Sequence, residues 1–411
     1  MLYRWLFILR KPSNRLWLAP AYSAIFAILF AFAAHLADRF LPPHILPEIH
    51  LEVVENLLNI ISTSMLAVST FSLSIIVSAV ASASSGATPR ATDLVVNDGA
   101  SRRTIASFIS ALIYAIIAKT ALGLELYALN GRFIIFISTI AILLYVIMRL
   151  IAWVYTLSQL GRMGNTLDKI YQSAEQSLLN YRQSPQLGAT WQGKIGLQAS
   201  QLLANDTGYL IHINMNKLQS LAEKSNTYLH IKVRTGELIM PNTILAEIDN
   251  IADNENDFRQ AFVLDKQRTF QQDPRWGLIV FSEVAQRALS PAVNDPGTAI
   301  IVMTKVMKLL IQSPEEKPEP EFNRLSINAL NCQDFISDCF APIIRDGGAI
   351  LEVHLNMQKV LAGIWQNAPE TELREYAQIA AKDYLQRAKT TLPFEQDFLQ
   401  LKQKHDSLFT Q

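Results

Sequence analysis

Four apolar runs in the first 160 residues constrain this chain more than any other feature. They are residues 16–36, 57–81, 105–127 and 133–157, and each holds the roughly 20 residues that a helix needs to cross about 30 Å of hydrocarbon. A backbone in hydrocarbon must satisfy its own N–H and C=O groups, so such runs read as helices. Four consecutive runs of this length are foreign to a water-soluble core. The first exceeds the apolar stretch of a signal peptide and lacks a small-residue cleavage site, so it reads as a span.

The chain average hides this division. Of 411 residues 50% are hydrophobic and the mean hydropathy is +0.17, yet the excess lies almost wholly before residue 160. The remainder has ordinary globular patterning. The sequence therefore reads as an α-helical membrane protein. Four transmembrane helices (1–160) are followed by a linker helix with a small cytosolic α+β domain (161–270). An all-α helical domain (271–411) completes the cytosolic region. Lys plus Arg balance Asp plus Glu at 36 each, so no basic excess points to nucleic acid. Cys332 and Cys339 lie about 10 Å apart along a helix, beyond disulfide reach. No metal-ligand spacing, phosphate loop or dinucleotide fingerprint is present, and no cofactor or catalytic residue is expected.

Loop charge sets the expected orientation. Arg4, Arg10, Lys11 and Arg15 precede the first run, and Arg90, Arg102 and Arg103 lie between the second and third. The first intervening loop carries Glu48, Glu52 and Glu55 with a single Arg39. Basic segments face the cytosol, so both termini are expected on the cytosolic side, with Trp5, Trp17, Trp153 and Tyr155 near the inner interface. Arg90, Arg102 and Arg103 are candidates for anionic lipid headgroups; alternatively they only set topology. Gly86 and Pro89 interrupt the helix there, Thr92–Val96 is a short amphipathic piece, and Asn97–Asp98–Gly99 signals a turn.

The second run has two faces. At 100° per residue Thr63, Ala67, Thr70, Ser74, Ser78, Ala81 and Ser85 form one stripe, with Ile61, Met65, Val68, Ile75 and Ile76 opposite. Small hydroxylated residues suit a tight helix seam or the wall of a hydrated path in an oligomer. Two cations, Lys119 and Arg149, sit within later runs. Such residues either snorkel to headgroups or find partners. Tyr145 and Trp153 flank Arg149 at i−4 and i+4, positioned for a cation–π contact.

In the soluble half, Gly208–Asn214 and Tyr228–Arg234 alternate as strands, Met215–Lys224 reads as a short helix, and residues 238–240 and 244–248 add extended pieces. That gives an α+β unit of three or four strands, with His212 and His230 as strand-face residues. The stretch VRTGELIMPNTILAEI resembles the turn of biotinyl and lipoyl-type β-modules but lacks the lysine those carriers modify, so it reads as local strand–turn chemistry. After Gln272 the pattern is all-helical, interrupted by a charged, proline-rich linker at residues 313–321. Leu325, Ile327, Phe335, Phe340, Ile343 and Leu351 are the expected core of three or four terminal helices. Asp273 before Pro274, and Asp295 before Pro296, each place an N-cap ahead of proline in the first helical turn. Glu283 and Arg287 are spaced to pair on one helix face. Pro291 should end the first helix near Leu289 or Ser290, with Asn294 in the turn. The elbow is a simple helix–turn–helix, or else its facing helix ends gather Arg287, Asn294 and Asp295 into a polar cluster that grips a neighbouring subunit or the inner mouth of the membrane bundle.

The run QDPRWGLIVFSEVAQRALSPAVNDPGTA resembles the hallmark of the predicted membrane proteins grouped under domain of unknown function 2254. Gln272 and Asp273 match its QD pair, and Arg287 to Ala299 match its RALSPAxNDPxTA element. Thr88–Pro89–Arg90 is similar to its SPR element, with threonine in place of serine. The GYL run at Gly208 and a four-helix N-terminal half also fit. Glutamine, often found at the end of the second helix in that family, is absent here. The resemblance implies a bacterial inner-membrane location and brings no activity or catalytic residues. Three functional classes follow: an oligomeric channel- or transporter-like protein for ions or small solutes, a membrane-anchored scaffold or stress sensor with a cytosolic partner, and a membrane enzyme. The last is the weakest, for want of a nucleophile–base pair. The lipid bilayer and further copies of the chain are the expected partners.

Overall fold

A computed structural model describes residues 15–40, 42, 46–96, 99–159, 161–193, 196, 199–249, 255–314 and 321–409. Arg4, Trp5, Arg10, Lys11, the Asn97–Asp98 turn and residues 315–320 lie outside these. So do the side chains of Arg15, Trp17, Asp38, Arg39, Ser85 and Arg102. The chain divides into two compact units: residues 1–85 with 92–166, and residues 86–91 with 167–411.

The first unit is helical: α1 (Arg15–Phe40), α2 (Leu51–Gly86), most of α3 (Pro89–Val96), α4 (Gly99–Gly123), α5 (Leu129–Gln159) and the start of α6 (Met163–Gln183). Among the described residues three segments are long and apolar enough to cross a membrane: Leu51–Ser82, Arg103–Gly123 and Leu129–Ser158. Within α1 the apolar stretch is shorter, Ala21–Leu36. The close approaches are made by α1, α4 and α5, through Ala27, Ala34, Ala111, Ala115 and Ala118, as expected where small side chains let backbones meet. The helix α2 joins this core through larger groups, Val54, Leu58, Ile61 and Met65. The third apolar run ends earlier than its hydropathy implies. Glu125 takes φ +53°, Leu126 N–H donates to Ala121 O, and Glu125 N–H to Leu122 O. This left-handed C-terminal turn satisfies the last carbonyls and stops α4 at Gly123.

The second unit begins with the rest of α6 and two small sheets. Strands β1 (Ser200–Leu203), β3 (Leu229–Ile231), β5 (Ile244–Ile248) and β7 (Leu325–Ile327) form one sheet in the order β1-β5-β3-β7. Strands β2 (Gly208–Ile213), β4 (Leu238–Ile239) and β6 (Phe262–Asp265) form the other, ordered β4-β2-β6. Between them run the short helices α7 (Met215–Lys224) and α8 (Glu255–Arg259). Leu202, Leu210, Leu218, Leu229, Ile248 and Leu325 are wholly buried in their shared core. Leu325 and Ile327 correct the sequence reading. They do not join the terminal helices but pair in parallel with Leu229 and Ile231. The sheet thus draws on chain from both sides of residue 271.

The remaining helices are α9 (Pro274–Leu289), α10 (Pro296–Leu310), α11 (Gln333–Asp346), α12 (Leu351–Asn367), α13 (Thr371–Thr391) and α14 (Glu395–Phe409). A buried arginine ties this bundle together. Arg182 of α6 donates to the carbonyls of Leu309, Leu310 and Gln312 at the C-terminus of α10, and its side chain is 3% exposed. It also pairs in bidentate fashion with Glu370, at 2.6 and 2.9 Å. One guanidinium thereby caps one helix, answering its orphan carbonyls, and anchors the entry to α13.

Candidate functional site

The two motif-bearing stretches meet on α9. Asp273 caps its N-terminus as the sequence implies: Oδ1 accepts from Arg275 N–H at 3.1 Å and Trp276 N–H at 3.2 Å. Its Oδ2 takes Arg268, at 2.7 and 2.8 Å. Burial pushes this carboxyl above its ordinary range despite Arg268 and the two amides. Gly236 closes the other side. It has φ +95°, and a Cβ there would fall 2.3 Å from Asp273 Oδ2, so only glycine fits. The preceding Gln272 accepts from Ile213 N–H of β2 at 3.0 Å, and its carbonyl accepts from the Thr235 hydroxyl at 2.6 Å. The QD pair therefore fastens α9 to the sheets.

One turn on, the buried Trp276 ring carries two guanidinium groups, Arg268 at 4.8 Å and Arg90 at 5.4 Å from its centroid. Arg90 comes from residues 86–91, part of this unit although the chain on either side belongs to the other. Its guanidinium also forms an ion pair with Glu283. This is the partner Glu283 takes in place of Arg287 at i+4. Arg90 is 57% exposed and Glu283 20% exposed. The second carboxylate oxygen, Oε2, is buried, and beside Arg90 the carboxyl has the Thr88 hydroxyl as a further hydrogen-bonding group. Burial pushes the Glu283 carboxyl up, against the opposing pull of Arg90 and the Thr88 hydroxyl. Beneath α9, Arg275 reaches Asp338 at 2.7 Å and Asp334 at 2.9 Å on α11.

The elbow after α9 is made by local bonds. Ser290 caps α9, its hydroxyl donating to Arg287 O at 2.7 Å. Asn294 adopts φ +48°, and Asp295 N–H returns to Ala288 O at 2.8 Å. Asp295 caps α10. Its Oδ1 accepts from Thr298 N–H at 3.0 Å and its Oδ2 from the Thr298 hydroxyl at 2.6 Å. Both oxygens are thus engaged within its own first turn, which holds the carboxyl below the usual aspartate range. The tip, Pro291 through Asp295, is exposed, and Pro296 behind it is half-buried.

In the first unit, the α2 stripe turns outward. Thr63, Ala67, Thr70, Ser74, Ser78 and Ala81 are exposed on the single chain, while Ile61 and Met65 opposite are buried. The stripe is therefore no seam within this chain. Thr63 donates to Asn59 O at 2.7 Å, Thr70 to Leu66 O at 2.9 Å and Ser74 to Thr70 O at 3.1 Å. Both intramembrane cations have partners. Lys119 donates to Asn59 Oδ1 of α2 at 3.0 Å. Arg149 lies over the Tyr145 ring at 5.3 Å, and its Nε donates to the Tyr145 hydroxyl at 3.1 Å. That hydroxyl in turn meets Ser107 at 2.9 Å. Of the arginines read as headgroup contacts, Arg90 is engaged by Glu283 and Trp276, and Arg103 is exposed. The pairing of Arg90 with Glu283, 193 residues away, had no sequence signal beyond the two motif elements themselves.

Comparison with known proteins adds family but no activity. An uncharacterized protein of Mycobacterium bovis and one of Mycobacterium tuberculosis are each 33% identical to this chain over 113 residues. The match covers 26% of this chain and 22% of each relative, so it spans under a quarter of the curated relatives' length. No solved structure matches. The family model described as predicted membrane protein, DUF2254, matches residues 13–363, which take in both the apolar helices and the α9 site, and the chain belongs to that family.

Proposed function

We propose that this chain is one subunit of an oligomeric, multi-pass inner-membrane protein that forms or gates a pathway for ions or small solutes. The outward-facing stripe of α2 carries the reading. Against acyl chains a row of small residues forfeits packing, and its hydroxyls gain nothing. Against a second copy, the same row permits close approach. Around a shared axis it offers oxygen atoms to water without placing charge in the membrane. Four spans are part of the reading. The 26 residues of α1 reach about 39 Å as a helix, enough to cross, although its apolar stretch is shorter. Loop charge supports cytosolic termini, a cytosolic 86–103 loop and two further cytosolic regions, 161–270 and 271–411.

The test is size-exclusion with light scattering on the detergent-purified full chain, together with ion flux after reconstitution. Ser74→Leu and Ser78→Leu should dissociate the assembly or reduce flux. A monomeric parent without flux overturns the reading. Reporter fusions at Pro47 and Gly131 should report outside, and at Gly86 and Glu315 inside. A second reading, a membrane-anchored scaffold, draws on the exposed elbow. Its tip displays Val293 at 47% exposure, the kind of loop position that contacts partners. A normal assembly with no flux, but with loss of a bound partner on Val293→Asp, favours it.

A further inference from the structure

We propose that residues 86–91 are a detachable clasp, seated on α9 by Arg90 through Glu283 and Trp276, that opens and closes while α9 itself stays folded. This goes beyond the pathway reading and does not require it. The seat is preformed. Trp276 is fixed by the Asp273 cap of its own helix and covered by Arg268, which Asp273 holds independently of Arg90. When Arg90 leaves, the ring keeps a cation and the cap stays intact, so release does not unravel α9.

The grip is also modest by construction. Ala87 and Ala91 are buried, but a methyl group each adds little apolar area, so the contacts of Arg90 and Thr88 with Glu283, and of Arg90 with Trp276, carry the hold. Arg90 itself is more than half exposed, and exposed ion pairs and cation–π contacts are weak. Glu283 has one oxygen on Arg90, and the Thr88 hydroxyl of the same clasp also bonds its carboxyl. Its carboxyl sits above the ordinary range even beside a guanidinium, so the pair does not fully offset the burial of its charge. The charged groups acting on Glu283 are Arg90 from the clasp and Arg268 from the segment before α9. Arg287 stands one turn along its own helix. On α11, Asp334 and Asp338 are held by Arg275. Chain geometry suits movement, since α2 ends at Gly86 and α3 starts afresh at Pro89.

Hydrogen exchange on the full chain in detergent or nanodiscs tests this. In the parent, amides of α3 should exchange at least about tenfold faster than those of α9 at Phe281 and Val284, because the clasp opens while α9 stays closed. Arg90→Glu and Glu283→Arg should each raise α3 exchange further, and the double swap should restore the parental rate. Exchange in α12 should be unchanged throughout, showing that the fold survives. The proposal is overturned if α3 is as protected as α9 in the parent, which makes the segment a fixed brace. It is equally overturned if both single variants, still folded, leave α3 exchange unmoved, or if the swap fails to restore it. A clasp that behaves as expected in a chain without flux would leave this proposal standing and remove the pathway reading.

Discussion

The two units handle polar atoms away from water in opposite ways. In the apolar helices the hydroxyls mostly turn to the nearest acceptor. Thr63, Thr70, Thr120, Thr139 and Thr156 each donate to the carbonyl four residues back. The few links between helices there are short chains, such as Lys119 to Asn59 or Arg149 through Tyr145 to Ser107. The second unit instead buries whole charges and satisfies them at long range. Arg182 finds its acceptors 127 to 188 residues away. Without water, a hydroxyl on a helix always has its own backbone within reach, whereas a guanidinium with five donors needs several chain segments to converge. Hydroxyls in the first unit are accordingly mostly satisfied locally, while the second unit adds buried charges held by several distant segments.

Arg182→Ala should test that contrast hardest. It removes the donor of three helix-end carbonyls, two of them on buried residues, and of the half-buried Glu370, and should cost about 3–5 kcal/mol in chemical unfolding of the second unit. Arg182→Lys should recover only part, since an ammonium cannot reproduce the bidentate pair. A loss below about 1 kcal/mol, the range of surface ion pairs, would collapse the distinction between the units.

Backbone approach in the second unit comes next in size. A Cβ on Gly277 would lie 2.3 Å from Ala174 Cβ, where α9 crosses α6. Gly277→Ala should therefore cost about 1–3 kcal/mol through overpacking. Adding Ala174→Gly should return part of that loss. If the double variant is no better than the single, the crossing is looser than its geometry.

For the first unit, Asn59→Leu removes the partner of Lys119. Links of this kind between membrane helices average about 0.6 kcal/mol, so thermal unfolding in detergent should shift only slightly. A loss of several kcal/mol would mean that the first unit also depends on long-range polar links.

Smallest is Asp295→Asn at the elbow. Asparagine caps as well as aspartate, so equilibrium unfolding at neutral pH should change by about a few tenths of a kcal/mol. The carboxyl of Asp295 is held low by Thr298. Its contribution is present above the unfolded aspartate value and is lost only as pH falls through the lowered folded value. The parent should lose that increment in acid and the asparagine variant should not. An inactive or dissociated but stable Asn variant at neutral pH would give the elbow a role beyond capping.

Local signals carried much of this architecture. Runs of about 20 apolar residues defined the helices of the first unit, because hydrocarbon leaves the backbone no other solution. Asp–Pro pairs marked the starts of α9 and α10, and Pro291 marked the end of α9, because caps and proline act within one turn. The stripe of α2 was legible as a pattern, since a helix wheel needs only the sequence. Its direction was not: whether hydroxyls or isoleucines face inward depends on what packs beside the helix. Leu325 and Ile327 could not be told from helix by periodicity, for three residues hold too little pattern, and only the neighbouring Leu229 and Ile231 made them a strand. Arg90 likewise read as a headgroup contact or a topology charge, and only the fold brought Glu283 and Trp276 beneath it. Sequence specifies what a residue does within a turn or two of chain, because those bonds form with its own neighbours. The partners of Arg90, Arg182 and β7 are separated from them by about a hundred residues or more, and only the assembled tertiary structure could choose them.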